Sequence, residues 1–281
     1  MHNFPSSYLL PGHLPATCHG VLGVIDYHLS AKATTSFDTF SITRHLTVQR
    51  ALMPGTDKQS LRIFPPTNLT TNVQLPPVIH PIGEFPVLMR IDGVSDHGKD
   101  YMTRWRLRKM NWRIDEYSKM ISEPCAKHAH KIGGEGKGIL HEDTRVIGGE
   151  DRKGGWKTDF DSPGGNIEFE FQASVKPGSH PLCDVESPTG LAVTHALAIE
   201  LIVAEEHFQK GHKMAAPTGA ARVLRMVFKL ILTERSGMGI SWDEEQPPMY
   251  EDVPLSPPGY PKIDDYNGEP LPYEELEHMR H

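Results

Sequence analysis

The chain has 281 residues, a hydrophobic fraction of 38% and a formal net charge of −7. That is enough for one large or two small domains with a sizeable core, and the acidic balance argues against bulk binding of nucleic acid. No apolar run approaches the ~20 residues of a membrane span, the opening Met1–Tyr8 lacks a basic-then-apolar leader, and Cys18, Cys125 and Cys183, far apart in sequence, form no disulfide framework, as suits a reducing compartment.

Taken in chain order, the dominant apolar period is two. Gly23, Ile25, Tyr27, Leu29 and Ala31 alternate with polar neighbours, as do Leu69, Thr71, Val73 and Leu75, and then Phe85, Val87, Met89 and Ile91. In Arg104–Ile114 the apolar file runs Trp105, Leu107 and then changes phase to Met110, Trp112, Ile114. A one-residue phase change is what a β-bulge produces, so a bulge is predicted near Arg108-Lys109. Ile167, Phe169, Phe171, Ala173 and Val175 form the cleanest one-face-buried strand. Leu191–Phe208 is rich in Ala, Leu and Glu, yet Leu191, Val193, His195, Leu197, Ile199, Leu201 and Val203 keep strict alternation, which predicts a long strand, with room for a short helix near Glu205–Lys210. Leu224, Met226, Phe228, Leu230 and Leu232 close the series.

Between these files lie Gly, Pro, Asn and Asp clusters, and the sum reads as an all-β, immunoglobulin-like antiparallel β-sandwich. Met53-Pro54-Gly55 marks a break that could separate two sandwiches. The His- and Gly-rich Ser122–Lys137 reads as a loop, and the glycine pairs at 148–149, 154–155 and 164–165 read as irregular chain. After Ile240 periodicity ends; the acidic, Pro-rich remainder to His281 is expected to be disordered.

That remainder carries Pro247-Pro248-Met249-Tyr250 and, ten positions on, Pro257-Pro258-Gly259-Tyr260. Paired prolines fix φ and remove backbone donors, pre-setting a polyproline II segment that lies in an aromatic groove of a WW domain at low ordering cost. The tyrosine ring fits a second pocket. Chance gives roughly 0.06 such motifs in a chain of this composition, and two are present. The competing reading is a Pro-rich disordered tail with incidental tyrosines.

Other candidate chemistry is weaker. Gly133-Gly134-Glu135-Gly136-Lys137-Gly138 lacks phosphate-loop spacing. Cys125, His128 and His130, with His141, Glu142 and Asp143 after them, are zinc-ligand types but match no paired structural-zinc pattern, so no metal, cofactor or catalytic residue is assigned and an enzyme is not expected. Arg104, Arg106, Arg108, Lys109 and Arg113 make a basic strand. It is either a solvated face with its stems packed on Trp105 and Trp112, or an anionic docking patch for lipid headgroups or acidic segments of a partner.

Several stretches resemble one family. Leu14–Tyr27 resembles a segment late in an arrestin N-terminal domain, and Pro76–Gly83, Trp105–Lys109, His141–Arg145 and Thr233–Gly237 are similar to the fungal arrestin-related trafficking adaptors (alpha-arrestins) of the low-dye-binding type. With the two Pro-Pro-x-Tyr motifs, the resemblance covers most of residues 9–261. It implies arrestin-type sandwiches, divided as a 1–54 remnant of an N-terminal sandwich, a 55–240 C-terminal sandwich and a 241–281 tail. It also implies a cytoplasmic adaptor, peripheral at the plasma membrane or at Golgi and endosomes. Such an adaptor recruits a HECT-type ubiquitin ligase, through WW domains on Pro247, Pro248, Tyr250, Pro257, Pro258 and Tyr260, to plasma-membrane transporters or permeases that are then ubiquitinated and endocytosed. The alternative is a WW-binding scaffold or transcription-related protein without a ligase. Most strands of an N-terminal sandwich precede the point where this chain begins, so residues 9–50 are expected to expose unpaired edges unless they re-pair or dimerise.

Overall fold

The computed structural model describes residues 7–99, 101–123, 127, 129–132, 138–209 and 214–234. The chain opens with short strands β1 (Cys18–His19) and β2 (Val24–Ile25), then β3 (Tyr27–Thr34) and β4 (Thr39–Leu46). Next come β5 (Lys58–Ile63), β6 (Thr70–Leu75), β7 (Val78–Ile79), β8 (Glu84–Asp92), β9 (Ser95–His97) and the long β10 (Tyr101–Ser122). The series ends with β11 (Ile139–Arg152), β12 (Lys157–Asp159), β13 (Asn166–Ser174), β14 (Val185–Glu186), β15 (Leu191–Gln209) and β16 (Ala216–Leu232). Among the described residues there is no α-helix, only a 3-10 turn at Ala129–Ile132, and so no helix long and apolar enough to cross a membrane.

Strands β5–β16 build the sandwich that the period-two files predict. One sheet runs β12-β13-β8-β6-β5; the other runs β11-β10-β15-β16-β7, with β9 on β10 and β14 on β15. The inward files meet between them: Val73, Val87, Ile91, Ile167 and Phe171 from the first sheet, Ile114, Leu197, Ile199, Leu201 and Leu230 from the second. Each such side chain contributes about 1.5–3 kcal/mol by leaving water. Trp112 stacks on Phe171 with ring centroids 5.9 Å apart.

The phase change in β10 is a bulge. Opposite β15, Leu107 pairs with Val203 and Lys109 with Ile202, leaving Arg108 unpaired. Leu191–Gln209 is one continuous strand, so the described part of the Glu205–Lys210 segment, up to Gln209, is strand rather than helix. A feature that periodicity did not foresee is a parallel pairing of β7 with β16. The chain crosses from β6 through Pro76-Pro77 and arrives beside β16 in the same direction, with Pro77 O accepting from Ile231 N at 3.0 Å and Ile79 O from Thr233 N at 3.0 Å.

The reading of Gly148-Gly149 as irregular chain is corrected: both lie inside β11. A Cβ on Gly148 would come 2.3 Å from Ser174 O, and one on Gly149 would come 2.8 Å from Trp112 O. Here glycine permits close backbone approach within regular structure, where the sequence alone suggests a turn. The pairing slips at the same place, where Ile114 faces Gly148 and Asp115 faces Val146.

Residues 7–50 are built differently. Asp26 interrupts the 23–31 file, and β3 pairs only with β4, Tyr27 opposite Leu46 through Thr34 opposite Thr39. The apolar face expected to be buried there is open: Leu29, Phe40 and Ile42 are more than half exposed, because two strands alone leave nothing to cover them. The base of this region is tied down. Thr17 and Val48 exchange hydrogen bonds at 2.8 and 2.9 Å, Tyr27 Oη donates to Pro15 O at 2.7 Å, and Thr233 Oγ1 donates to Arg50 O at 2.7 Å. Cys18, Leu22 and Ile25 pack against Leu182, Val185, Leu191 and Val193 in a second apolar cluster.

Candidate docking surface

The basic side chains of β10 are brought together with a partner that the sequence reading did not name. Glu206, on β15 and 4% exposed, receives Arg104 Nε at 2.9 Å and Arg108 Nη2 at 2.8 Å, with Arg106 Nη1 at 3.7 Å. Three guanidinium groups thus share one carboxylate. Arg104 is the most covered, its Cζ 4.8 Å from the Phe160 ring centroid. Arg106 and Arg108 are each about half exposed. Strand alternation puts positions 104, 106 and 108 on one face of β10; Arg108, the bulged residue, stays with the two arginines before the slip, while Lys109 and Arg113 beyond it turn to other partners.

Lys109 and Arg113 stand apart in one-to-one pairs. Lys109 Nζ lies 2.7 Å from Asp151 Oδ2, and Arg113 Nε donates to both oxygens of buried Asp115 at 3.0 and 3.1 Å. The patch has therefore two kinds of member: cations already matched, and an Arg106–Arg108 pair whose shared carboxylate is outnumbered. Pro247, Pro248, Tyr250, Pro257, Pro258 and Tyr260 lie outside the described residues. So do Cys125 and His128 of the candidate zinc loop, while His141 Nε2 is within 2.9 Å of Ser122 Oγ.

A second charged assembly was also missed. His195, in the apolar file of β15, has both ring nitrogens on carboxylates: Nδ1 is 2.5 Å from Asp184 Oδ1, and Nε2 is 3.4 Å from Glu116 Oε2. Arg145 forks onto Glu116 at 2.6 and 3.1 Å and also donates to Ser179 O and His180 O. Leu182 N–H donates to Glu116 at 2.9 Å and Leu232 N–H to Asp184 at 2.9 Å. Two anions and two cations balance, and together they pin the 179–184 segment to the long strands.

Burial alone would raise the Glu116 pKa. Hydrogen bonds from His195, Arg145 and the Leu182 amide outweigh it and hold the carboxyl at about 2. Burial would likewise lower His195, but its bonds to Asp184 and Glu116 win and raise it, favouring the imidazolium. The neighbouring thiols stay protonated: burial, then Glu116, raises Cys18, and burial, then Glu234, pushes Cys183 up to about 12. The signal available in the sequence was the lone histidine in the apolar file Leu191–Val203; the register of β15 on β10 then places it opposite Glu116.

Comparison with known proteins now bears on this architecture. A family model described as LDB19, arrestin N-terminal-like, matches residues 1–132. Two uncharacterized Schizosaccharomyces pombe proteins are similar: one is 36% identical over 265 residues, covering 93% of this chain and 66% of its own length. The other is 32% identical over 269 residues, covering 92% and 70%. Protein LDB19 of Saccharomyces cerevisiae is 24% identical, covering 92% of this chain and 61% of its own length. The chain thus spans about two thirds of the length of these relatives. Among solved structures, the membrane-inserted Clostridium perfringens NetB toxin covers 63% of the chain at 7% identity and a TM-score of 0.19, a likeness that carries no argument. The all-β sandwich, the matched arrestin N-terminal-like model and the fungal relatives agree: this chain belongs to the arrestin-related LDB19 family.

Proposed function

We propose that the chain is an adaptor in ubiquitin-dependent membrane trafficking. It recruits a WW-domain HECT ubiquitin ligase to plasma-membrane transporters, which are then ubiquitinated and endocytosed. The observation that carries this reading is the repeat of Pro-Pro-x-Tyr at 247–250 and 257–260. One such motif could be incidental; two, ten residues apart on a chain of the arrestin-related family, favour a dedicated WW ligand. The work of such a protein is binding. The sandwich offers the cargo or membrane side, with Arg106 and Arg108 as the cations least neutralised within their own cluster, suited to acidic segments or anionic headgroups. The tail offers the ligase side.

The test is proximity labelling in cells from a tag on the full chain. The expected result is joint enrichment of a HECT ligase and a membrane transporter, with the ligase lost when Tyr250 and Tyr260 are both changed to Ala. Enrichment of WW-containing nuclear or scaffold proteins with no ligase would move the chain to the scaffold class.

A further inference from the structure

Three potential metal ligands, Asp26, His28 and His45, converge at the junction of the two N-terminal hairpins, and His19 flanks Asp26. Asp26 sits in the one-residue gap between β2 and β3. Its Oδ1 lies 3.2 Å from His19 Nε2 on β1 and 3.2 Å from His45 Nε2 on β4. His28 of β3 is the cross-strand partner of His45, and their rings meet edge-on with centroids 5.1 Å apart. Ligand atoms of Asp26, His28 and His45 all lie within 4.8 Å of one another.

We propose that His19, Asp26, His28 and His45 form a site for a divalent cation of the zinc class. Imidazole nitrogens and a carboxylate oxygen are the ligand types Zn2+ prefers, at about 2.0–2.2 Å and in tetrahedral array. The edge of such a tetrahedron is about 1.6 bond lengths, or about 3.3–3.5 Å. Both Asp26–imidazole separations, 3.2 Å, are already at that edge. His28, within 4.8 Å of the others, and His19, which lies against Asp26 alone, close the set by changes of rotamer, which their exposed positions allow.

The fold also gives the cation something to do. A two-stranded hairpin is marginal in water on its own, and β3–β4 pairs with no other strand among the described residues. The ligands come from β1, the β2–β3 gap, β3 and β4, so one ion ties the open hairpin to the β1–β2 hairpin. That second hairpin is in turn packed on the sandwich through Cys18 and Ile25. The ion clips the N-terminal region to the rest, as structural metals do where an apolar core is too small. The proposal is independent of ligase recruitment.

The test uses the purified full chain, stripped with a chelator and titrated with Zn2+ alone by calorimetry and with Co2+ by visible absorption. The expected result is one equivalent bound, a tetrahedral Co2+ spectrum, and slowed hydrogen exchange across residues 27–46. His45→Ala and Asp26→Ala should each weaken Zn2+ binding by about 10–100-fold or more, since even outer-shell changes cost that much. His97→Ala, on β9, should leave it unchanged. Tryptophan fluorescence from the sandwich reports whether each variant still folds. No binding at micromolar Zn2+ overturns the proposal, as does binding that survives both ligand variants, which would place the ion on other histidines. Binding without slowed exchange in 27–46 overturns the clip.

Discussion

His195 Nδ1 lies 2.5 Å from Asp184 Oδ1 with the imidazole fully shielded from solvent, so a charged pair sits where the β15 pattern calls for an apolar side chain. Glu116 occupies the other ring nitrogen and Arg145 completes the balance. Such a group is costly to break from one side, because whatever remains is a buried, unpaired charge. Glu116→Ala should therefore destabilise the sandwich by about 3–5 kcal/mol. Glu116→Gln should cost less, since it keeps an acceptor. Urea denaturation followed by tryptophan fluorescence measures both; equal midpoints for Glu116→Ala and wild type would show the network to be decorative.

The same groups fix a pH dependence. Glu116 is held below its ordinary value, at about 2, so its contribution is present above the ordinary glutamate range and is lost as pH falls from there toward about 2. His195 is raised, so its contribution is complete below the ordinary histidine range and is lost as pH climbs through its raised value. Urea midpoints against pH should decline on both sides. His195→Gln should flatten the alkaline decline and leave the acid one steeper than the alkaline.

Gly148 and Gly154 make a matched pair. A methyl on Gly148 meets Ser174 O at 2.3 Å, whereas one on Gly154 meets nothing within 4 Å. Gly148→Ala should force the backbones apart at a cost of about 1–3 kcal/mol, and Gly154→Ala should stay within about 0.5 kcal/mol of wild type. Similar midpoints for the two would contradict the close approach.

Arg106 and Arg108 supply the docking prediction. Charge reversal at both should weaken association with anionic vesicles or acidic cargo segments, more at low salt than at high salt, because exposed charges are screened. Reversal at Lys109 and Arg113, already paired with Asp151 and Asp115, should matter less for association. Unchanged binding by the folded Arg106–Arg108 variant would return the strand to a solvated face.

The sandwich was readable because its strands are buried on one face, and burial writes a period of two into the chain. The phase slip at Trp105–Leu107 to Met110–Trp112 even located the bulge, since an inserted residue shifts every inward position after it. Periodicity failed where its physical cause is absent. The Leu29–Ala31 file alternates as though buried, yet β3 has only β4 beside it. Gly148-Gly149 looks like a turn because glycine serves both turns and close approach, and sequence does not separate them. The charged assemblies were hidden for another reason: Glu206 meets Arg104 across 102 positions, and His195 meets Glu116 across 79. Only register brings them together. The Pro-Pro-x-Tyr pair, by contrast, is local chemistry and is visible in sequence without any fold.

That pair bears the central claim, and titrating the full chain against tandem WW domains tests it most directly. Each motif alone should bind one WW domain with micromolar or weaker affinity, roughly −8 kcal/mol at most. Ten residues from Tyr250 to Tyr260 span at most ~36 Å, so domains whose grooves lie within that distance should engage both motifs with gained avidity. Tyr250→Ala or Tyr260→Ala should lose that gain, and phosphorylation of either ring should act the same way by bringing a dianion into an aromatic groove. The double variant Tyr250→Ala/Tyr260→Ala should show no measurable binding while its sandwich remains folded. A double variant that binds as tightly as wild type would contradict ligase docking through these motifs.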